Sequence, residues 1–155
     1  MDYCVHICAN GHVIQSSTWI SGKEFCEKCG AEMMDRCPNC SNPIKEWDYG
    51  GAPYIGKRKY DRAAYCKNCG KPYPWTQSAI EAAAELITEE DQLDSAQQAK
   101  LIESLPDIVA ETPKTQIATV RIKKALLSVG KFTADALRQF VIDFGCEFAK
   151  SQLGF

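Results

Sequence analysis

Two observations predict a small α+β protein. Four pairs of metal-ligand residues fall before residue 70, and the second half is rich in Ala, Leu, Ile and Glu with helical periodicity. The expected architecture is two consecutive zinc ribbons, made of short β-hairpins and zinc knuckles, followed by an all-α helical region. The pairs are Cys8-x3-His12, Cys26-x2-Cys29, Cys37-x2-Cys40 and Cys66-x2-Cys69, and they take up seven of the nine cysteines and one of the two histidines. A C-x2-C pair lets one tight turn present two thiolates to one ion, and two pairs complete a tetrahedron.

The composition changes near Trp75, so two domains are expected, a double ribbon over 1–75 and a helical domain over 76–155. The first half has little helical periodicity and too few apolar residues for a large core. Small domains of this kind commonly need a metal. No secretory signal is visible in Met-Asp-Tyr-Cys-Val-His, and no run of 18 apolar residues spans a membrane. Paired C-x2-C spacing without a signal favours metal in a reducing cytosol, and hence a cytoplasmic protein, over disulfides or a redox dithiol.

Element by element, Cys8-Ala-Asn-Gly-His12 reads as a tight turn in which Asn10-Gly11 takes positive φ. Residues 13–20 read as a strand, with Phe25 leading into the second knuckle. Gly30 and Gly70 follow their knuckles and let the backbone aim N–H groups at the thiolates. Residues 44–49, 52–55 and 60–65 are short strand candidates separated by Gly50-Gly51 and Gly56-Lys57. Sequential pairing gives site one Cys8, His12, Cys26 and Cys29, and site two Cys37, Cys40, Cys66 and Cys69. A cross-braced arrangement would interleave the pairs, but the seven residues between Cys29 and Cys37 are too many for the RING pattern. Cys4 and His6 are alternative donors to site one, or else a free thiol and a surface or strand residue.

In the second half, Ser78-Ala-Ile-Glu81 reads as a capping box for a helix over 79–90. Asp94 or Ser95 caps a second helix that carries Leu101, Ile102 and Leu105 and ends at Pro106. Thr115 opens a third, with Ile117, Val120, Leu126 and Leu127, stopped by Gly130. Thr133 caps a fourth over 134–152. Its Leu137, Phe140, Val141, Phe144 and Phe148 form one apolar stripe, either packed on the other helices or serving as a seam for self-association or a partner. Cys146 reads as a small buried helix residue.

Four segments resemble an uncharacterised bacterial family of double zinc-ribbon proteins that carries a domain-of-unknown-function label. They are Ile7-Cys-Ala-Asn-Gly-His-Val-Ile14, Phe25-Cys-Glu-Lys-Cys-Gly30, Cys37-Pro-Asn-Cys-Ser-Asn-Pro-Ile44 and Tyr65-Cys-Lys-Asn-Cys-Gly-Lys-Pro-Tyr-Pro-Trp-Thr76. The likeness extends to Ile80-Glu-Ala-Ala-Ala-Glu-Leu-Ile87 and Ser104-Leu-Pro-Asp107. It implies a bacterial cytosolic protein with two ribbons and a helical tail. It supports His12 as a ligand, gives no such support to Cys4 or His6, and supplies no activity.

Charge excludes a protein that coats nucleic acid globally, since the chain carries a formal net charge of -2. Residues 1–75 hold ten Lys and Arg against eight Asp and Glu, and the helical half holds eight against twelve. Two local clusters stand out. Lys57, Arg58, Lys59, Arg62, Lys67 and Lys71 lie close to Tyr54, Tyr60 and Tyr65, a pairing that can hold phosphates and stack bases. Residues 112–133 contain Lys114, Arg121, Lys123, Lys124 and Lys131 and no acid. The plainer reading of both clusters is an ordinary solvated face. Pro72-Tyr-Pro-Trp75 is stiff, and its aromatics read as hinge packing or as an exposed hot spot. There is no catalytic constellation, no phosphate loop and no H-E-x-x-H. The expectation is a non-enzymatic adaptor holding two Zn2+ per chain and binding a protein partner or itself through the C-terminal helix. The alternative is a nucleic-acid-binding ribbon that uses the 54–71 cluster.

Overall fold

The structure, a computed structural model, describes residues 4–45 and 60–155. The chain forms two compact units, Met1–Gln77 and Ser78–Phe155. The first contains strands β1 (Cys4–Cys8), β2 (Val13–Ser16) and β3 (Met33–Met34). Helix α1 (Pro74–Thr88) begins there and runs on into the second, which adds α2 (Ser95–Val109), α3 (Thr115–Ser128), α4 (Lys131–Phe144) and α5 (Glu147–Leu153). Among the described residues no helix is long and apolar enough to cross a membrane.

The sheet is antiparallel in the order β2-β1-β3. Cys4 pairs with Ser16 and Ile7 with Val13 on one side, and Ile7 pairs with Met34 on the other. All five β1 residues are buried, as a central strand covered on both faces requires. β1 precedes the elements expected from the pattern. The strand expected over 13–20 stops at Ser16, whose hydroxyl accepts the Thr18 N–H at 3.2 Å and turns the chain. Residues 60–65 form no strand. Tyr65 makes only an isolated bridge to Pro72, like the bridges Phe25–Glu32 and Arg36–Pro43 that flank the other knuckles. Ile44 donates its N–H to the Asp35 carbonyl instead of joining a ladder. The candidate at 52–55, and all but the first two residues of that at 44–49, lie outside the described residues.

In the second unit α3 touches α2, α4 and α5. Its Ala118, Ile122 and Ala125 are buried, as are Leu101, Leu105 and Ile108 of α2 and Leu137 and Val141 of α4. α2 starts after Asp94 and α3 at Thr115, as expected, whereas α1 and α4 start earlier. α1 begins at Pro74, not 79, because proline at the first helical position has no N–H to satisfy and the Tyr73 carbonyl receives the Thr76 and Gln77 amides. The capping box that forms is Asp94 with Gln97, at 2.8 and 2.9 Å. α2 runs through Pro106 to Val109, so the proline sits inside the helix, and Ala110 closes the last turn by donating to the Pro106 carbonyl. α4 begins at Lys131, before Thr133, and Thr133 instead bonds the Glu90 carboxylate, which with the Gln92 and Gly130 amides is held below its usual range.

The single helix expected over 134–152 is two helices. α4 ends at Gly145 and α5 starts after Cys146, whose N–H donates to the Ile108 carbonyl at 2.8 Å. Cys146 is therefore a half-buried cap residue, not a helix-interior one. Leu137, Phe140 and Val141 are buried, and Phe144 and Phe148 are half-buried. Phe144 stacks on Phe140 with centroids 6.0 Å apart.

The break depends on Gly145, where a Cβ would collide with the Val141 carbonyl, whereas a Cβ at Gly130 would meet open space. Gly145→Ala is expected to cost about 1–3 kcal/mol through forced overpacking. Gly130→Ala should change stability by no more than about 0.5 kcal/mol. Thermal melting of the two variants checks this, and equal midpoints would contradict it.

Candidate metal centres

Three C-x2-C pairs fold into the same knuckle. The N–H of residue i+4 returns to the carbonyl of the first cysteine, as Gly30 to Cys26, Ser41 to Cys37 and Gly70 to Cys66, at 2.7–2.8 Å. The first cysteine N–H then donates to the carbonyl of residue i+5, namely Ala31, Asn42 and Lys71. The turn needs a left-handed residue after the second cysteine: Gly30 and Gly70 have φ 73°, and Ser41 takes φ 62°. The Cys8–His12 pair is looser, with Gly11 N–H on the Cys8 carbonyl and φ 90° at Gly11. Of the Asn10-Gly11 pair, only Gly11 takes positive φ.

These turns bring the eight candidate donors into two groups. Cys8, His12, Cys26 and Cys29 form one, Cys37, Cys40, Cys66 and Cys69 the other, and within each group the donor atoms all lie within 4.8 Å of one another. Their separations test the fit of a metal. A tetrahedral ion with M–S bonds of about 2.3 Å separates its sulfurs by roughly 3.8 Å, and a sulfur and an imidazole nitrogen by roughly 3.6 Å. Cys8 Sγ lies 3.7 Å from Cys29 Sγ, Cys37 Sγ 3.8 Å from Cys69 Sγ, and Cys40 Sγ 3.7 Å from Cys66 Sγ. His12 turns Nδ1 inward, 3.4 Å from Cys8 Sγ and 3.5 Å from Cys26 Sγ. All the cysteines are free thiols. These are tetrahedral edges rather than disulfide lengths of about 2.05 Å. Both groups can hold a tetrahedral metal ion.

Electrostatics point the same way. Burial pushes the Cys8 thiol up and lifts Cys37 to about 11, against the N–H groups of its own knuckle. Cys29 falls to about 6, led by the Ala31 N–H and the Asn10 amide. Cys66 also falls to about 6, led by the Cys69 and Asn68 N–H groups. Clustered thiols cannot all ionise side by side, because each thiolate raises the cost of the next. A dication at the centre would remove that conflict and take all of them as thiolates.

The structure also shows an outer layer that the spacing of the cysteines did not reveal. Asn68 Nδ2 donates across site two to Cys40 Sγ at 3.4 Å. Asn39 reaches the other way and lowers the Cys69 thiol, after the Lys71 N–H. In site one, Asn10 does the same for Cys29. Each asparagine lies two residues after the first donor of its pair and serves the second cysteine of the facing knuckle. The signal was present as a repeated residue, in Cys-Ala-Asn, Cys-Pro-Asn-Cys and Cys-Lys-Asn-Cys. Only the 26–29 pair lacks it.

Cys4 and His6 belong to neither group. Cys4 Sγ donates to the Thr18 carbonyl at 2.8 Å, and the buried His6 has Nε2 2.9 Å from that carbonyl and Nδ1 3.1 Å from Glu24. In the 54–71 cluster, Tyr60 is buried with its hydroxyl on the Lys45 carbonyl, and Arg62 donates to the Gly11 carbonyl. Lys67 and Lys71 are exposed, whereas Tyr54, Lys57, Arg58 and Lys59 lie outside the described residues. Tyr73 and Trp75 are not an exposed hot spot. They are buried and stacked 4.5 Å apart, and Trp75 Nε1 donates to the Ala63 carbonyl at 2.9 Å.

Residues 1–153 match the model of DUF2321, a family described as an uncharacterized protein conserved in bacteria, and the chain belongs to that family. No match was found among curated proteins or among solved structures.

Removing the cross-site amides should loosen the metal without touching a ligand. An Asn39→Ala/Asn68→Ala variant is expected to lose roughly 10–100-fold in metal affinity, read by competition with a chromophoric chelator. Cys4→Ser/His6→Ala should instead lower stability by about 1–3 kcal/mol through unpaired buried groups, while metal content stays at the wild-type value. Loss of one ion from that second variant would reassign the site-one ligands.

Proposed function

We propose that this DUF2321 protein is a non-enzymatic zinc-binding adaptor of the bacterial cytoplasm, with two Zn2+ per chain. The observation that carries the reading is the pair of four-donor groups at tetrahedral edge lengths. Four thiolate and imidazole donors fill the coordination sphere and leave no position for a substrate or an activated water. Cysteine-rich donor sets select Zn2+ over hard cations. Thiols kept unpaired suit a reducing compartment. The role of the metal is then to hold the ribbon unit in shape, and the function lies in what the surfaces of the two units bind.

A protein partner is favoured over nucleic acid because the basic and aromatic cluster is partly spent on the fold. Tyr60 and Arg62 face protein carbonyls, not solvent alone. Binding of a single-stranded oligonucleotide gives the discriminating measurement. The adaptor reading expects weak, non-saturating association. Saturable binding that falls steeply with salt, by 10-fold or more over a fourfold rise, would replace it with the nucleic-acid reading.

Metal analysis of the purified chain is expected to give two zinc ions, and one ion or iron would overturn the double-ribbon assignment. Cys66→Ser should lose one ion and unfold the second ribbon, since structural zinc contributes on the order of 10 kcal/mol to such modules. Chelation should abolish the near-ultraviolet signal of Trp75 while leaving most of the helical signal of α2–α5. That unit has its own apolar core and no ligand. Loss of both signals together would contradict the division of labour.

A further inference from the structure

A groove of about 410 Å³ lies between α2 and α3, within the second unit. Its apolar lining comes from Leu93, Leu101, Ile117, Val120 and Ala125. Ile117 and Val120 are 48% and 40% exposed, so apolar surface lies uncovered along its wall. Lys100 stands on the α2 side, Arg121 and Lys124 on the α3 side, and no Asp or Glu lines it. Among the described residues none of these three cations pairs with a carboxylate. Arg121 is held in place by α2, where its Nη1 donates to Ser104 Oγ at 3.0 Å. The unit as a whole is acidic, with eight basic and twelve acidic residues in 76–155, yet residues 112–133 carry five cations and no acid. Two of these five cations, Arg121 and Lys124, line the groove opposite Lys100, so the lining is positive within an acidic unit.

We infer that the α2–α3 groove docks an acidic amphipathic helix of a partner protein. This rests on the adaptor reading and names the partner's chemistry. The α3 wall uses Ile117, Val120, Arg121, Lys124, Ala125 and Ser128, which form one continuous face at i, i+3 and i+4 spacing. From Ile117 to Ser128 the wall runs roughly 16 Å at 1.5 Å per residue, the length of three helical turns. A partner helix with apolar anchors at i, i+3 or i+4, and i+7 matches that length and lays its apolar stripe into the groove. Acidic residues beside the stripe face Lys100, Arg121 and Lys124. Nucleic acid fits less well, because the lining is aliphatic and has no aromatic ring on which to stack a base. A membrane surface fits less well too, because the apolar residues line a concavity between two helices instead of crowning a convex face.

The test uses the full-length zinc-loaded chain and a capped 15-residue peptide with Leu at i, i+4 and i+7, Glu flanking the stripe and Ala elsewhere. Fluorescence anisotropy is expected to show saturable one-to-one binding. A scrambled peptide without the stripe should bind at least 10-fold more weakly, and so should the Lys100→Glu/Lys124→Glu protein. Lys100→Arg/Lys124→Arg should retain binding, and unchanged melting of both variants shows that the fold is intact. Amide shifts should concentrate on residues 97–101 and 117–128. The inference is overturned if the peptide fails to bind, if the scrambled peptide binds equally, or if the shifts lie elsewhere. Tighter binding of phosphatidylserine vesicles or of a single-stranded oligonucleotide to the same face also overturns it. The adaptor reading fails separately. If a cross-linked partner stays bound to Lys100→Glu/Lys124→Glu and is lost on chelation, the groove is wrong and the adaptor stands.

Discussion

Gathering four soft donors around one point is the constraint on which the first unit depends. Cys8, Cys26 and Met33 form a small buried cluster, with Ile20 and Ala31 packed against it. Two of its three central members are candidate ligands. The ligand sphere and this apolar cluster thus share residues, while Val5, Ile7, Tyr73 and Trp75 are buried besides. In a unit this small, apolar burial is hard pressed to offset the entropy of ordering the chain. The knuckle turns set the donors at the spacing of a tetrahedral ion, and a cation bound there would reward bringing the thiols together.

The site was more legible than the fold around it. C-x2-C spacing is a strong signal because the turn that presents two sulfurs leaves little freedom in length, and Gly30 and Gly70 sit where that turn needs positive φ. Ser41 occupies the same left-handed position without being glycine, so the third knuckle was readable only from its cysteines. Strand β1 was not readable. Cys-Val-His-Ile-Cys has no polar alternation, because both of its faces and both of its edges are covered. Nor did its sequence say that His6 would find Glu24 and the Thr18 carbonyl.

In the helical unit, periodicity located the helices but misplaced their ends. The stripe from Leu137 to Phe148 keeps helical spacing across Gly145, so it concealed the break between α4 and α5. That break is set by a close approach to the Val141 carbonyl and by the Cys146 N–H finding Ile108 across the unit. Pro106 misled in the opposite direction. A proline ends a helix when nothing beyond it is worth burying, but Ile108 and Val109 follow it and are both buried. In both cases tertiary packing outweighs the local rule by more than the local rule costs.

The two basic clusters of the sequence have different fates, and the difference is physical. Arg62 bonds the Gly11 carbonyl, against a glycine whose missing side chain makes room for the guanidinium, so its charge serves the ribbon's own closure. Tyr60 likewise spends its hydroxyl on Lys45, and burial lifts it to about 12. Along α3 the opposite holds. Thr115, Ala118, Thr119, Ile122 and Ala125 face inward, and Thr119 Oγ1 donates to the Thr115 carbonyl at 2.8 Å. The cations and the larger aliphatics Ile117 and Val120 are left outside. The helix thus buries Ile122 with its threonines but leaves Ile117 and Val120 exposed among lysines. Through the buried residues α3 lies against α2, α4 and α5, and Ile117 and Val120 are left on the groove side.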